Sequence, residues 1–196
     1  MTKTIPSIQK CLELIDHYEM LDNIRHHSFI VARVAETIVQ NMMLPGDKKS
    51  RSPDLSLVMA GALLHDIAKT RCLDGSCRHA EEGEQICIEH GFGDVGSIVG
   101  EHVILKSFTP DLYKIGCFGA REIVYYSDKR VTHTTIVSLE DRLDYIVGRY
   151  GDGSSSIEMR IRENFQHCLQ LEQYLFSFLP FSPENLADLV SDQPFK

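Results

Sequence analysis

Residues 58–69 read VMAGALLHDIAK, and the fold prediction starts from this segment. His65 follows Val58 by seven residues, so on a helix its imidazole continues the apolar face instead of pointing into water. Asp66 shares a face with Leu63, three residues earlier, and is directed inward in the same way. We therefore predict a helix from about residue 53 to about residue 69 that carries a histidine and an aspartate into the core.

Helical periodicity of apolar residues extends over most of the chain, with no lasting strand alternation and no internal repeat. Asp22 is the expected N-cap of a long helix that Pro45 and Gly46 end, and Ser138 begins a capping box with an aspartate in the acidic position. Further helices are predicted over 79–90, 95–105, 119–132, 139–150 and 156–178.

The chain has 196 residues, of which 43% are hydrophobic, and this is the composition of one compact domain. The expected fold class is therefore all-α, a single-domain helical bundle. We expect this domain to span 1–196, with its core at about 20–150 and C-terminal helices at 155–190 packed on it.

A net charge of −8 argues against a broad nucleic-acid-binding surface but not against a small phosphorylated substrate. No apolar stretch approaches the roughly 20 residues of a membrane span, and residues 1–7 contain no signal-peptide core. The expected location is therefore the cytoplasm, with most of the six cysteines reduced and partly buried. Cys72 and Cys77 lie close to His79 but lack a second pair of ligands at zinc-finger spacing.

Two more histidines and a second aspartate lie on apolar helical faces, namely His27, His102 and Asp128. Any one inward histidine is more often a hydrogen-bonded core residue than a ligand. Two inward carboxylates beside inward imidazoles are harder to explain separately, because unpaired buried charge is costly. A divalent cation would satisfy all of them. Without thiols in the set, Mn, Fe, Co, Ni or Mg fits better than tetrahedral zinc.

Three motifs in order resemble those of the HD-domain metal-dependent phosphohydrolases, the second of them in its HDIG-type form. They are RHHSFIVA at 25–32, GALLHDIAK at 61–69 and YYSDK at 125–129, and the similarity covers about residues 20–150. The resemblance implies that the primary metal ligands are His27, His65, Asp66 and Asp128. It also implies a second metal, held by His79 at a helix start and His102 in a helix interior, with Asp66 bridging the two ions.

The sequence departs from the family pattern in two places. Ala68 stands where HDIG-type members have glycine, a small-for-small change that a continuing helix tolerates. The sequence around His102 reads Gly100-Glu101-His102, without the paired histidines of the cyclic-di-GMP phosphodiesterase branch, and no glycine-tyrosine-proline motif occurs. That branch is therefore not expected.

The function implied is hydrolysis of a nucleotide or another small phosphate ester by one or two divalent metal ions, with hydroxide formed from metal-bound water attacking phosphorus. Asp66 and Lys69 are the expected catalytic residues. Lys69 and Lys129 are expected to bind phosphate, although an ordinary helix-end lysine and an exposed salt bridge explain them as well. Arg142 is not assigned to the site. Loops 71–78 and 106–119 are expected to select the substrate.

Two other functions stay open at this point. A few HD-fold proteins are diiron oxygenases, and a metal or nucleotide sensor without catalysis would use the same ligands. The remaining histidines have no motif support: His90 is expected at a helix C-terminus, and surface or capping positions are expected for His17, His26, His133 and His167.

Overall fold

The computed structural model describes residues 4–44, 52–151, 153–191 and 195. Its helices are α1 (Ile8–His17), α2 (Asp22–Asn41), α3 (Leu55–Leu64), α4 (His79–Glu89), α5 (Gly93–Glu101), α6 (Pro110–Tyr113), α7 (Ala120–Lys129), α8 (Leu139–Tyr150), α9 (Ser155–Phe176) and α10 (Leu186–Leu189). A 3-10 helix covers Pro183–Asn185, and two short strands, β1 (Val131–Thr132) and β2 (Thr135–Ile136), lie between α7 and α8. The all-α prediction is confirmed.

Most predicted helices occur, but several of their ends differ. The Oγ of Ser138 accepts a hydrogen bond from Asp141 N at 3.0 Å, which confirms the predicted start of α8. The N-cap of α2 is Leu21, and Asp22 is the first helical residue. The predicted stop at 45–46 lies outside the described residues, and α2 itself ends at Asn41.

The helix predicted from about residue 53 to about residue 69 is shorter in the structure, where α3 ends at Leu64. Beyond it the backbone tightens into turns: Ile67 N donates to Leu64 O at 3.0 Å, and Lys69 N donates to Asp66 O at 2.9 Å. Both bonds span three residues, as in a 3-10 helix, instead of four. Ala68 is fully buried in this turn segment without a positive φ, so the position does not require the family's glycine.

Three elements, β1, β2 and α1, were not predicted from the sequence. The strands β1 and β2 pair in antiparallel register, Val131 opposite Ile136, but each is only two residues long, too short to show alternation. Helix α1 begins where Ser7 Oγ accepts a hydrogen bond from Lys10 N at 3.2 Å. Its inner face is buried on the core through Cys11, Leu14 and Ile15.

Two glycines allow the antiparallel pair α4 and α5 to pack closely on each other and on α3. A Cβ on Gly83 of α4 would lie 2.7 Å from Val99 Cγ1 of α5. A Cβ on Gly61 of α3 would lie 2.7 Å from Ile98 Cγ2, again on α5. Larger residues would separate these helices. The close approach brings the start of α4 and the end of α5 to the residues that follow α3.

Helix α9 packs across α7 and α8. The hydroxyl of Tyr125 on α7 donates to the backbone oxygen of Asn164 at 2.8 Å. The guanidinium of Arg130 pairs with Glu172 at 3.1 Å and donates to the carbonyl of Pro183 at 2.9 Å, so the chain after α9 is held as well. No helix among the described residues is long and apolar enough to cross a bilayer.

Four of the six cysteines are free thiols, as expected, but Cys72 and Cys77 form a disulfide. The turn between them explains the pairing: Asp74 Oδ1 accepts from Ser76 N at 2.9 Å, and Gly75 takes a φ of 77°. The two Cα atoms are 5.1 Å apart as a result, which is within the range for a disulfide. The expectation of reduced thiols is wrong for this pair.

Loss of this disulfide should lower the free energy of unfolding by about 2 kcal/mol, from the loop-closure entropy of so short a loop. The test is urea unfolding of Cys72→Ser, with Cys117→Ser as the control because Cys117 is an exposed free thiol. Dithiothreitol should destabilise wild type and the control, but not Cys72→Ser. Six alkylatable thiols in the unreduced protein would contradict the pairing.

Candidate metal centre

Five segments from different parts of the chain bring imidazoles and carboxylates together. His27 comes from the second turn of α2, and His65 and Asp66 follow α3 directly. The remaining three are His79 at the start of α4, His102 at the end of α5 and Asp128 near the end of α7. All are buried except His79, which is partly exposed. His102 therefore caps its helix, and the prediction that it lies in a helix interior is wrong.

The first half of the centre is formed by His27 and His65. The Nε2 of His27 lies 3.1 Å from Asp128 Oδ1, and that of His65 lies 3.6 Å from the same oxygen. Both nitrogens also face Asp66 Oδ2, at 4.0 Å from His27 and 3.4 Å from His65. Two imidazoles and two carboxylates thus surround one small volume.

The second half lies on the other oxygen of Asp66. Its Oδ1 is 3.4 Å from His79 Nε2 and 3.6 Å from His102 Nε2, and these two nitrogens are 3.2 Å apart. The donor atoms of His27, His65 and Asp66 lie close enough together to hold one cation, and so do those of Asp66, His79 and His102. Asp66 therefore belongs to both groups of donor atoms.

Backbone carbonyls fix the orientation of three of the imidazoles. The Nδ1 of His65 lies 2.7 Å from Ala62 O, that of His102 lies 2.6 Å from Val99 O, and that of His27 lies 3.0 Å from His133 O. A carbonyl accepts only, so each Nδ1 carries the hydrogen, and each Nε2 has its lone pair directed into the centre. Such partners in the outer shell are typical of metal-binding histidines.

The charges at the centre are strongly coupled. Burial alone would raise the pKa of Asp66 and Asp128, but cations and hydrogen bonds, led by Lys69 for Asp66 and Lys129 for Asp128, hold both well below the usual range. Burial alone would lower the pKa of His65, yet the two carboxylates raise it to about 9. Burial lowers the pKa of His79 to about 4. A cation that binds at His65 therefore competes with a proton.

Two buried atoms support a cation directly. Among the described residues, neither His65 Nε2 nor Asp66 Oδ1 has a hydrogen-bond partner of good geometry, although His65 is fully buried and Asp66 is 1% exposed. An unsatisfied buried carboxylate oxygen and an unsatisfied imidazole nitrogen are costly unless a cation binds them. The donors are nitrogen and oxygen only, so the residues fit the expected divalent ions.

Three basic side chains adjoin the centre. The ammonium of Lys69 is 2.8 Å from Asp66 Oδ2. Burial would lower the pKa of Lys69, but the carboxylates of Asp66 and Asp128 outweigh this effect and raise it. The ammonium of Lys129 is buried, contacts the carbonyl of His102 and lies 3.3 Å from Asp128 Oδ2, so the alternative of an exposed salt bridge is wrong. The guanidinium of Arg142 lies 3.8 Å from Asp128 Oδ1.

A cavity of about 520 Å³ opens on the centre, and its walls differ from the expected ones. Of the two loops expected to select the substrate, 71–78 contributes Cys72 and Leu73, but 106–119 contributes nothing among the described residues. Phe108 instead packs on Tyr113 and His167. Much of the wall comes from α8 and α9, whose sequence patterns show only amphipathic helices.

Two functional residues were missed by sequence reasoning. His133 has a φ of 55° and presents its backbone carbonyl to His27, a role that does not depend on residue type and leaves no signal. Arg142 follows the buried Leu139 by three residues and precedes Ile146 by four, so its position on the inward face of α8 was available from helical spacing. His90 does cap α4, as expected.

Comparison with known proteins agrees with this geometry. The profile of the HD domain matches residues 24–146, so the chain belongs to the HD-domain family. This family is part of a superfamily of metal-dependent hydrolases. No solved structure matches the chain.

A curated protein is also similar over part of its length. It is the tRNA (cytidine(56)-2'-O)-methyltransferase of Thermoplasma volcanium, 34% identical over 115 residues, which are 58% of this chain and 31% of that protein. The chain thus spans less than a third of the length of this relative.

Metal content tests the two halves of the centre. Asp66→Ala should abolish tight metal binding, while His79→Ala and His102→Ala should each reduce the bound metal from two ions towards one, because they remove ligands from one half only. The measurement is elemental analysis of purified protein after dialysis against Mn²⁺, Fe²⁺, Co²⁺ or Ni²⁺. His26→Ala is the matched control, since His26 is exposed beside His27. Full metal content in Asp66→Ala would show that the proposed site is wrong.

Proposed function

We propose that this protein is a metal-dependent phosphohydrolase acting on a nucleotide or another small phosphate ester. The observation that carries the proposal is the position of Asp66, whose two oxygens face different histidine pairs beside a cavity that Lys69, Lys129 and Arg142 line. When bound, divalent cations neutralise charge on a phosphoryl group and lower the pKa of water.

The residues of the chain itself would bind and orient the phosphate. Lys69 and Arg142 line the cavity beside the centre, and both are placed to pair with phosphoryl oxygens. Arg142 is 7% exposed, and its Nε has no hydrogen-bond partner among the described residues. A buried donor without a partner is costly, and an anionic oxygen would satisfy it.

Lys129 supports the centre instead of reaching the substrate in this arrangement. Its ammonium holds Asp128 Oδ2 and the carbonyl of His102, so Oδ1 of Asp128 is left facing His27 and His65. Lys129 also lines the cavity. Its role in substrate binding, which the sequence predicts, therefore stays a prediction. Burial lowers its pKa, with Asp128 acting against that shift.

The activity of the curated relative is not carried over. That protein is a methyltransferase for tRNA, but the match covers 31% of it. The cluster that the present structure buries is built from imidazoles and carboxylates, which suits metal-assisted hydrolysis. Two alternatives that the sequence left open, a diiron oxygenase and a sensor without catalysis, are distinguished by the experiment below.

The central experiment is a screen of phosphomonoesters and phosphodiesters with protein loaded with Mn²⁺, Co²⁺ or Ni²⁺, read as phosphate or alcohol released. Asp66→Asn should lose more than roughly a hundredfold in kcat/KM, because it removes the shared ligand. His26→Asn should match wild type. Oxygen consumption by iron-loaded protein without hydrolysis would favour the oxygenase, and binding without turnover would favour the sensor.

Arg142 provides a second test of phosphate binding. Arg142→Lys keeps the charge but loses the planar donor pair, and kcat/KM should fall by roughly 10- to 100-fold, the equivalent of a charged hydrogen bond. Metal content should not change. Arg162→Lys is the control, because Arg162 is exposed on α9 and does not line the cavity. An unchanged kcat/KM in Arg142→Lys would exclude a contact between Arg142 and the phosphate.

A further inference from the structure

A second cavity reaches the same centre from another side. The larger cavity, of about 520 Å³, is lined by His79, His102 and Asp128. The smaller, of about 200 Å³, is lined by His27 and Asp66. A phosphoryl group held at the centre would therefore have space on both sides of it.

The two cavities meet along a shared wall. Six residues line both of them, namely Lys69, Leu73, Arg142, Ile146, Arg149 and Tyr150. Six shared residues mean that the two cavities adjoin along this wall, and we call the two adjoining cavities together the groove. The groove widens on the side of α9 and narrows on the side of α2.

The two ends of the groove differ in chemistry. The larger cavity as a whole presents more apolar than polar surface, and its unshared wall includes Ile104, Ile157, Ile161 and Phe165. The smaller cavity has a polar wall, with Asn23, His133 and Tyr145 among its residues. One end therefore suits a bulky apolar or aromatic group, and the other suits a smaller group with hydrogen-bonding capacity.

The basic side chains lie between the two ends. Arg142 and Lys69 belong to both cavities, and Arg142 Nε is buried without a hydrogen-bond partner among the described residues. The anionic oxygens of a bound phosphoryl group would therefore sit at the middle of the groove. Any ester groups on the phosphorus would extend towards the ends.

We propose that the substrate is a phosphodiester, with its bulkier group in the larger cavity and its smaller group in the smaller one. The proposal rests on the proposed function and names its substrate class. The two ester oxygens on a tetrahedral phosphorus point apart, so each of the two adjoining cavities can take one ester group, whereas a monoester would leave one cavity without a substrate group. Water adds to phosphorus and one P–O ester bond breaks. The departing oxygen keeps the electron pair and takes a proton, which gives a phosphomonoester and an alcohol.

The test compares bis(4-nitrophenyl) phosphate with 4-nitrophenyl phosphate, which lacks the second arm and carries more negative charge; each variant is therefore compared with wild type on the same probe. Asn23→Trp places an indole in the smaller cavity at an exposed position of α2, and Ile161→Trp does the same in the larger cavity. Asn23→Trp should lower kcat/KM for the diester by roughly tenfold or more and change the monoester by less than about twofold. Ile161→Trp should impair both, and His26→Trp neither, because His26 lines neither cavity.

Binding gives a readout that does not depend on turnover. Calorimetry with diphenyl phosphate and phenyl phosphate, under conditions in which no phenol is released, should show a lower Kd for the diester in wild type. In Asn23→Trp the two values of Kd should become equal. Hydrolysis of the monoester alone, or a diester that binds and reacts equally well in Asn23→Trp, would overturn the diester assignment and leave the proposed function standing. Hydrolysis of neither probe nor of any other ester would overturn both.

Discussion

The carboxylate of Asp66 is buried, and the elements around it are arranged so that both of its oxygens have polar neighbours. It is 1% exposed, at the end of a helix whose other residues are almost all apolar. A lone carboxylate at that position would be strongly destabilising. Its two oxygens are instead surrounded by Lys69 and four imidazoles from other segments. The close helix packing at Gly61 and Gly83 serves this same convergence, because it brings the ends of α4 and α5 to Asp66.

The candidate metal ligands and part of the groove wall lie in different regions of the sequence. The ligand-bearing residues, from His27 to Asp128, all lie inside the stretch 24–146 that matches the family profile. Much of the larger cavity's wall lies beyond it, on α9, where Ile157, Ile161 and Phe165 face the groove. The candidate ligands therefore lie within the matched range, whereas this part of the wall lies outside it, so a change on α9 can alter the cavity without replacing a candidate ligand.

The sequence predicts what depends on side-chain identity and short spacing. Helical periodicity placed His27, His65, His102 and Asp128 inward, and the structure brings them together. It could not predict the carbonyl of His133, because a backbone acceptor carries no residue signature. The early end of α3 depends on backbone hydrogen bonds within one turn, and the walls of the groove depend on contacts between α9 and residues more than 50 positions away.

Net charge and local charge have different consequences for the proposed substrate. The whole chain carries −8, which disfavours a long polyanion on its surface. The groove nevertheless presents Lys69, Arg142, Arg149 and Arg160 around the centre. Exposed charges more than about 8 Å away are largely screened at physiological ionic strength, so the potential felt by a small anion is set by these neighbours. The net charge of the whole chain is therefore compatible with the proposed phosphate-ester substrate, because the basic side chains that line the groove lie close to where it would bind.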